Sequence, residues 1–127
     1  MTTINLKKSI VSLIEQHFLH IHLKSNQEIN LGDAQQVIAA MGSIGEGKKF
    51  PVYIDAGEFV SIDDNVRSFS ASKVGNIYTL ADAIAVENIA QKLVANFYLK
   101  NDHPNVPTKV FNNKQEALDW LRQFIKH

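Results

Sequence analysis

The stretch from Asn88 to Phe111 constrains this chain more than any other. It reads Asn-Ile-Ala-Gln-Lys-Leu-Val-Ala-Asn-Phe-Tyr-Leu-Lys, then Asn-Asp-His-Pro-Asn-Val-Pro, then Thr-Lys-Val-Phe. In helical register Ile89, Leu93 and Phe97 fall at i, i+4 and i+8, a stripe that should face a core. Pro104 and Pro107 then end the helix and straighten the chain, because proline lacks an N–H and disfavours helical backbone before it. Thr108 to Phe111 suits a short strand. With a strand from Ile77 to Val86 ahead and a helix from Lys114 to about Lys126 behind, the unit is β-α-β-α, which makes the fold α/β.

The upstream half extends the pattern. Ile10 to Glu15 is a short β-branched run. Phe18 to Lys24 alternates strictly, with Leu19, Ile21 and Leu23 on one side and His20 and His22 on the other. Only Gln16 and His17 separate the two runs, so they read as an antiparallel hairpin without the usual glycine turn. A helix should span Leu31 to Ile44, stopped by the glycines that begin at Gly42, a strand Phe50 to Ala56, and a second helix Ile62 to about Ser72. Each helix start carries a capping residue and, three places on, a side chain that can reach back: Asn30 and Asp33, Ser61 and Asp64, Asn88 and Gln91, Asn113 and Glu116. The order is therefore β-β-α-β-α-β-α-β-α, in one domain over residues 1–127 with residues 1–8 a flexible start.

Composition narrows function. There is no cysteine, which excludes disulfides and thiolate metal sites. Lys plus Arg equals Asp plus Glu at 13 each, against the basic excess that nucleic-acid binding demands. No apolar run reaches the roughly 20 residues of a membrane span. Met1 to Lys8 lacks the apolar core and cleavage site of a signal peptide, so a cytoplasmic protein is expected.

The element order resembles the STAS domain, the fold of bacterial anti-sigma-factor antagonists. Three stretches are similar to a group of small bacterial STAS/SEC14-like proteins with no assigned function: Asn88 to Lys100, Val106 to Phe111, and Glu116 to Leu121. The resemblance covers most of the chain from about Phe18 onward, and the C-terminal third is its specific part. It implies an N-terminal hairpin followed by sequentially wound parallel strands. In the antagonist family an Asp-Ser-Ser-Gly-like motif after the third strand carries a phosphorylated serine. Here that region reads Asp55-Ala56-Gly57-Glu58-Phe59-Val60-Ser61-Ile62-Asp63-Asp64, so Ser61 stands at the helix start without the motif around it. Ser61 is weighed as a phosphorylation site and expected to be a plain N-cap.

Other constellations are weaker. Gly42-Ser43-Ile44-Gly45-Glu46-Gly47-Lys48-Lys49 nearly spells a phosphate loop, but Lys49 stands where a Ser or Thr must hold magnesium, and the segment leaves a helix instead of entering one. His17, His20 and His22 invite a metal, yet no acidic or cysteine ligand lies near them in sequence, so no metal is expected. Asp55 and Glu87 end neighbouring strands, where ligands of open α/β sheets bind. With Glu58, Ser61 and Asn88 they form the expected ligand or partner edge. No activated nucleophile or triad accompanies them, so no catalytic residue and no cofactor is expected.

Right-handed crossovers put the helices mainly on one face of the sheet. The other face, with His20, His22, Tyr53 and Phe111 beside the small Ala81, Ala83 and Ala85, is expected to lie bare and to pair with a second copy. The sequence thus points to a non-enzymatic regulatory or protein-interaction module. The alternative, from the SEC14 side of the resemblance, is a carrier of an apolar, lipid-like molecule. Asp82, among Leu80, Ile84 and Val86, breaks the pattern of its strand.

Overall fold

The computed structural model describes residues 2–125. In chain order the elements are β1 (Thr3–Asn5), β2 (Ser9–Ile14), β3 (Phe18–Leu23), β4 (Glu28–Ile29), α1 (Leu31–Ile44), β5 (Phe50–Ala56), β6 (Ser61–Ile62), α2 (Asp64–Ala71), β7 (Thr79–Ala85), α3 (Ile89–Phe97), a π-helical turn (Tyr98–Asp102), β8 (Thr108–Phe111) and α4 (Lys114–Arg122). The last helix, expected to run to about Lys126, ends at Arg122, and Lys126 itself lies outside the described residues.

The period-two alternation of β3 makes it a strand with two distinct faces, and β2 pairs with it antiparallel. Their turn closes with the His17 amide donating to the Ile14 carbonyl, while Glu15 and Gln16 both take positive φ, 50° and 61°. Three residues, Glu15 to His17, join the strands, and the positive φ that a tight turn needs to match strand twist is reached here without glycine. Thr3–Asn5, expected to be flexible, is an edge strand antiparallel to β2. Beyond the hairpin the strands run parallel, and the six-stranded sheet has the order β1-β2-β3-β5-β7-β8.

Register sorts the side chains. Leu19, Ile21, Val52, Ile54, Asp82 and Ile84 share one face; Phe18, His20, His22, Tyr53, Asp55, Ala81 and Ala83 share the other. Three helices serve the first face. Val37, Ala40, Met41 and Ile44 of α1 pack on Val11, Leu19, Ile21 and Val52. Val66 of α2 closes a smaller cluster with Ile29 and Ala34.

The second face is not bare. Ala117, Leu118 and Leu121 of α4 pack on Phe18, Tyr53, Ala81 and Ala83, and Tyr53 is only 4% exposed. Phe111 meets Trp120, ring centres 5.7 Å apart. The handedness rule governs helices that join two parallel strands. No strand follows α4 among the described residues, so the rule leaves it free to cross to the far side. The alanines of β7 are the small floor on which it lies.

The second helix also starts later than expected. Asp63, not Ser61, is its N-cap and accepts from the Val66 amide at 2.9 Å. Ser61 instead sits in β6, paired with Glu28 of β4, and its amide donates to the Gln27 carbonyl. Ser61 cannot cap the helix because Ile62 after it is also in the strand, so no helical turn begins there. The other caps hold: Asn30, Asn88 and Asn113 accept from Asp33, Gln91 and Glu116 amides, and Asn30 with Asp33 completes a capping box.

Candidate functional site

α3 is amphipathic, yet its apolar stripe does not meet a core. Ile89 is 77%, Leu93 65% and Phe97 50% exposed, and Ala95 alone of this helix is buried. The helix is held by its ends. At the N-terminus Asn88 caps it, the Gln91 side chain accepts from the Glu87 amide at 2.8 Å, and its NH₂ donates to the Gly57 carbonyl at 3.2 Å. Beyond the C-terminus the π-helical turn places Asp102 where Arg67 Nε donates to it at 3.1 Å. The Arg67 guanidinium also lies 5.0 Å from the centre of the Phe97 ring. A helix fixed at both ends and unpacked along its face bridges a space.

That space is a cavity of about 1290 Å³. The first face of the sheet is its floor, through Ile21, Ile54 and Ile84, and α1, α2 and α3 are its walls. The lining is mostly apolar, as in small-molecule sites. Of the three acids that line it, Asp55, Glu58 and Asp82, only Asp82 is buried. Asp82 is 6% exposed, and burial pushes its carboxyl up to about 7, with no side-chain hydrogen bond or cation among the described residues to offset the cost. Tyr98 also lines the cavity; burial first, then the Asp82 and Asp102 charges, raise its phenol. Asp82 therefore breaks its strand's pattern because it faces the cavity instead of a packed core.

The loop between β5 and β6 contributes Gly57 to Val60 to the lining. Phe59 there is 82% exposed and holds φ of 59°, a left-handed backbone that costs an aromatic residue energy. Gly57 packs so closely that a Cβ would fall 2.0 Å from Ser25 Oγ. Of the expected edge residues, Asp55, Glu58, Ser61 and Asn88 line the cavity. Glu87 is engaged through its backbone amide to Gln91.

The opposite face gathers the expected dimer-face histidines. His20 Nε2 and His22 Nδ1 both lie 2.8 Å from Asp55 Oδ1. Burial by itself would raise the Asp55 carboxyl, but the two imidazoles override it and hold it below its ordinary range. His20 packs edge-on against Tyr53 at 5.1 Å, and Lys114 Nζ sits 5.6 Å from the Tyr53 ring centre. The sheet face thus splits: Tyr53 and Phe111 go under or beside α4, while His20 and His22 join Asp55. Sequence reasoning singled out Asp82 without a role. It missed Arg67, whose signal depends on a contact between α2 and the π-helical turn.

The fold and the cavity define a STAS-like α/β domain. The chain belongs to a family described as a domain of unknown function (DUF7793), matched over residues 12–125. Its fold is similar to the crystal structure of an uncharacterised protein of the DUF3478 family from Shewanella loihica PV-4, titled as having a SpoIIAA-like fold. That likeness has a TM-score of 0.57 at 17% identity, over 94% of this chain and 90% of that one. A protein of unknown function from Arthrobacter sp. FB24 aligns at a TM-score of 0.32 and 19% identity, over 88% of this chain and 97% of that one. No curated protein matches. Among the described residues no helix is long and apolar enough to cross a membrane.

Proposed function

We propose that this protein is a non-enzymatic binding module that holds an apolar small molecule in the cavity beneath α3. One observation carries the reading: the stripe Ile89, Leu93 and Phe97 lines a cavity of about 1290 Å³ while remaining half or more exposed. A ligand in that space would bury the stripe and offset the cost of leaving apolar surface in water, about 25 cal/mol per Å². Asp82, protonated in much of the population at neutral pH, offers a hydrogen bond to a polar group at one end of such a molecule.

The test uses a neutral solvatochromic dye as probe. It should bind with a blue-shifted emission, and Ile84→Trp, which fills the cavity floor, should abolish the signal without lowering the melting temperature. No dye binding, or binding indifferent to Ile84→Trp, sinks the reading. A second reading, a regulatory module that docks a protein partner, is favoured by Val94, which is 51% exposed and extends the apolar surface of α3. Native mass spectrometry of protein purified from its own host distinguishes them: a retained small molecule supports the first, a retained protein the second.

A further inference from the structure

The two histidines of β3 project from the sheet face opposite the cavity, where Asp55, a residue that also borders the cavity, meets them, and their geometry is that of ligands. His20 and His22 stand two residues apart, so the strand period turns both imidazoles the same way. Asp55 comes from the adjacent parallel strand, directly opposite His22 in register. Sequence distance concealed it: the acid is contributed by a segment more than 30 residues on, which only strand pairing brings alongside.

We propose that His20 Nε2, His22 Nδ1 and Asp55 Oδ1 bind a divalent transition-metal ion of the zinc class, with the fourth coordination position open to solvent. The three atoms lie within 4.8 Å of one another. Zinc bonds near 2.0–2.1 Å in tetrahedral geometry place two ligand atoms about 3.3 Å apart. Each imidazole nitrogen is now 2.8 Å from the carboxylate oxygen, so each needs to move outward by about half an ångström, within the reach of small χ adjustments. In the metal-free arrangement two ring N–H groups converge on one carboxylate oxygen. A divalent ion at that point takes the carboxylate oxygen in place of the two N–H groups, and each neutral imidazole offers it a lone pair by carrying its one proton on the other ring nitrogen.

The surroundings permit it. The side chains are 20%, 35% and 27% exposed, which leaves an entry path and room for a bound water. Tyr53 holds the His20 ring edge-on, fixing the orientation of one ligand. The neighbouring ammonium of Lys114 is engaged over the Tyr53 ring and makes no ion pair with Asp55. Two imidazoles and one carboxylate favour zinc, cobalt, nickel or copper over magnesium or calcium, which prefer all-oxygen shells.

The experiment titrates metal-free, tag-free protein with cobalt(II), read by visible absorption, and with zinc, read by calorimetry. One equivalent of cobalt should bind with the intense bands of a four-coordinate site, and zinc should displace it. His22→Gln and Asp55→Asn should each weaken zinc binding about 10–100-fold or more, and His17→Gln, outside the cluster, should leave it unchanged. His22→Gln is the partly exposed member, and its circular dichroism reports whether the fold is kept. Absence of stoichiometric binding, a six-coordinate weak spectrum, or equal zinc affinity in a folded His22→Gln variant overturns the assignment. Neither His20 nor His22 lines the cavity that the dye reads, so a failed dye test leaves this result standing, and the converse holds.

Discussion

Asp82 is the residue whose chemistry is most altered by its place. Its carboxyl is buried in an apolar wall and rises from 3.8 to about 7. The folded protein then holds the proton more tightly than the unfolded chain does. The sign follows from linkage: stability is full below the unfolded pKa, falls as pH rises, and levels off above the folded pKa. The rise corresponds to roughly 4 kcal/mol if fully expressed. Asp82→Asn removes the ionisation, so thermal melting of the variant should lose this fall between about pH 4 and 7 and exceed the wild type at pH 8. A wild type whose melting temperature is flat across that window, or falls equally in both proteins, would show that Asp82 is solvated. A bound ligand that accepts a hydrogen bond from protonated Asp82 would raise its folded pKa further and steepen the same dependence.

Helices α3 and α4 look alike in sequence and differ in what they bury. Both carry an apolar stripe behind an asparagine cap. Leu121 of α4 is fully buried against Phe18 and the alanines of β7, whereas Leu93 of α3 is 65% exposed. Truncating a buried leucine removes transfer energy and leaves a hole, about 2–5 kcal/mol; truncating an exposed one does neither. Urea unfolding should show Leu121→Ala losing stability in that range and Leu93→Ala less than about 1 kcal/mol. Equal losses would mean that α3 closes onto the sheet in solution and the cavity is not maintained. The polar clamps at Gln91 and at Arg67 with Asp102 explain how a helix so poorly packed keeps its position.

Across the whole molecule the sheet divides two chemistries. Three crossover helices roof one face around an apolar space, and α4 covers half of the other, leaving the His20, His22 and Asp55 corner partly open. Covering by α4 changes what a substitution at Tyr53 tests. With 4% exposure, Tyr53→Glu forces a carboxylate into a packed interior, which costs several kcal/mol. The variant should melt far below the wild type by circular dichroism, at any protein concentration. A variant that keeps its melting temperature while a wild-type dimer dissociates, by sedimentation velocity, would instead restore self-association through this face.

Residue order already carried the alternation of strands and helices, because period-two and period-3.6 patterns are local and caps lie within three residues of what they cap. It also implied helices mainly on one face, which holds for the three that join parallel strands, because crossover handedness is set by strand twist. Asp82 was visible as a polar interruption, although nothing local distinguishes a carboxylate in a cavity from one in a bulge. What remained for the tertiary structure were the decisions made by distant partners. The ladder between β4 and β6 took Ser61 away from the helix start and left the cap to Asp63. α4, free of any crossover constraint, found the alanine floor of β7 and buried Tyr53. Strand pairing set Asp55 beside His20 and His22. The stripe of α3 was legible, but not that it faces a cavity, since a stripe records which side of a helix is apolar and not whether anything packs against it.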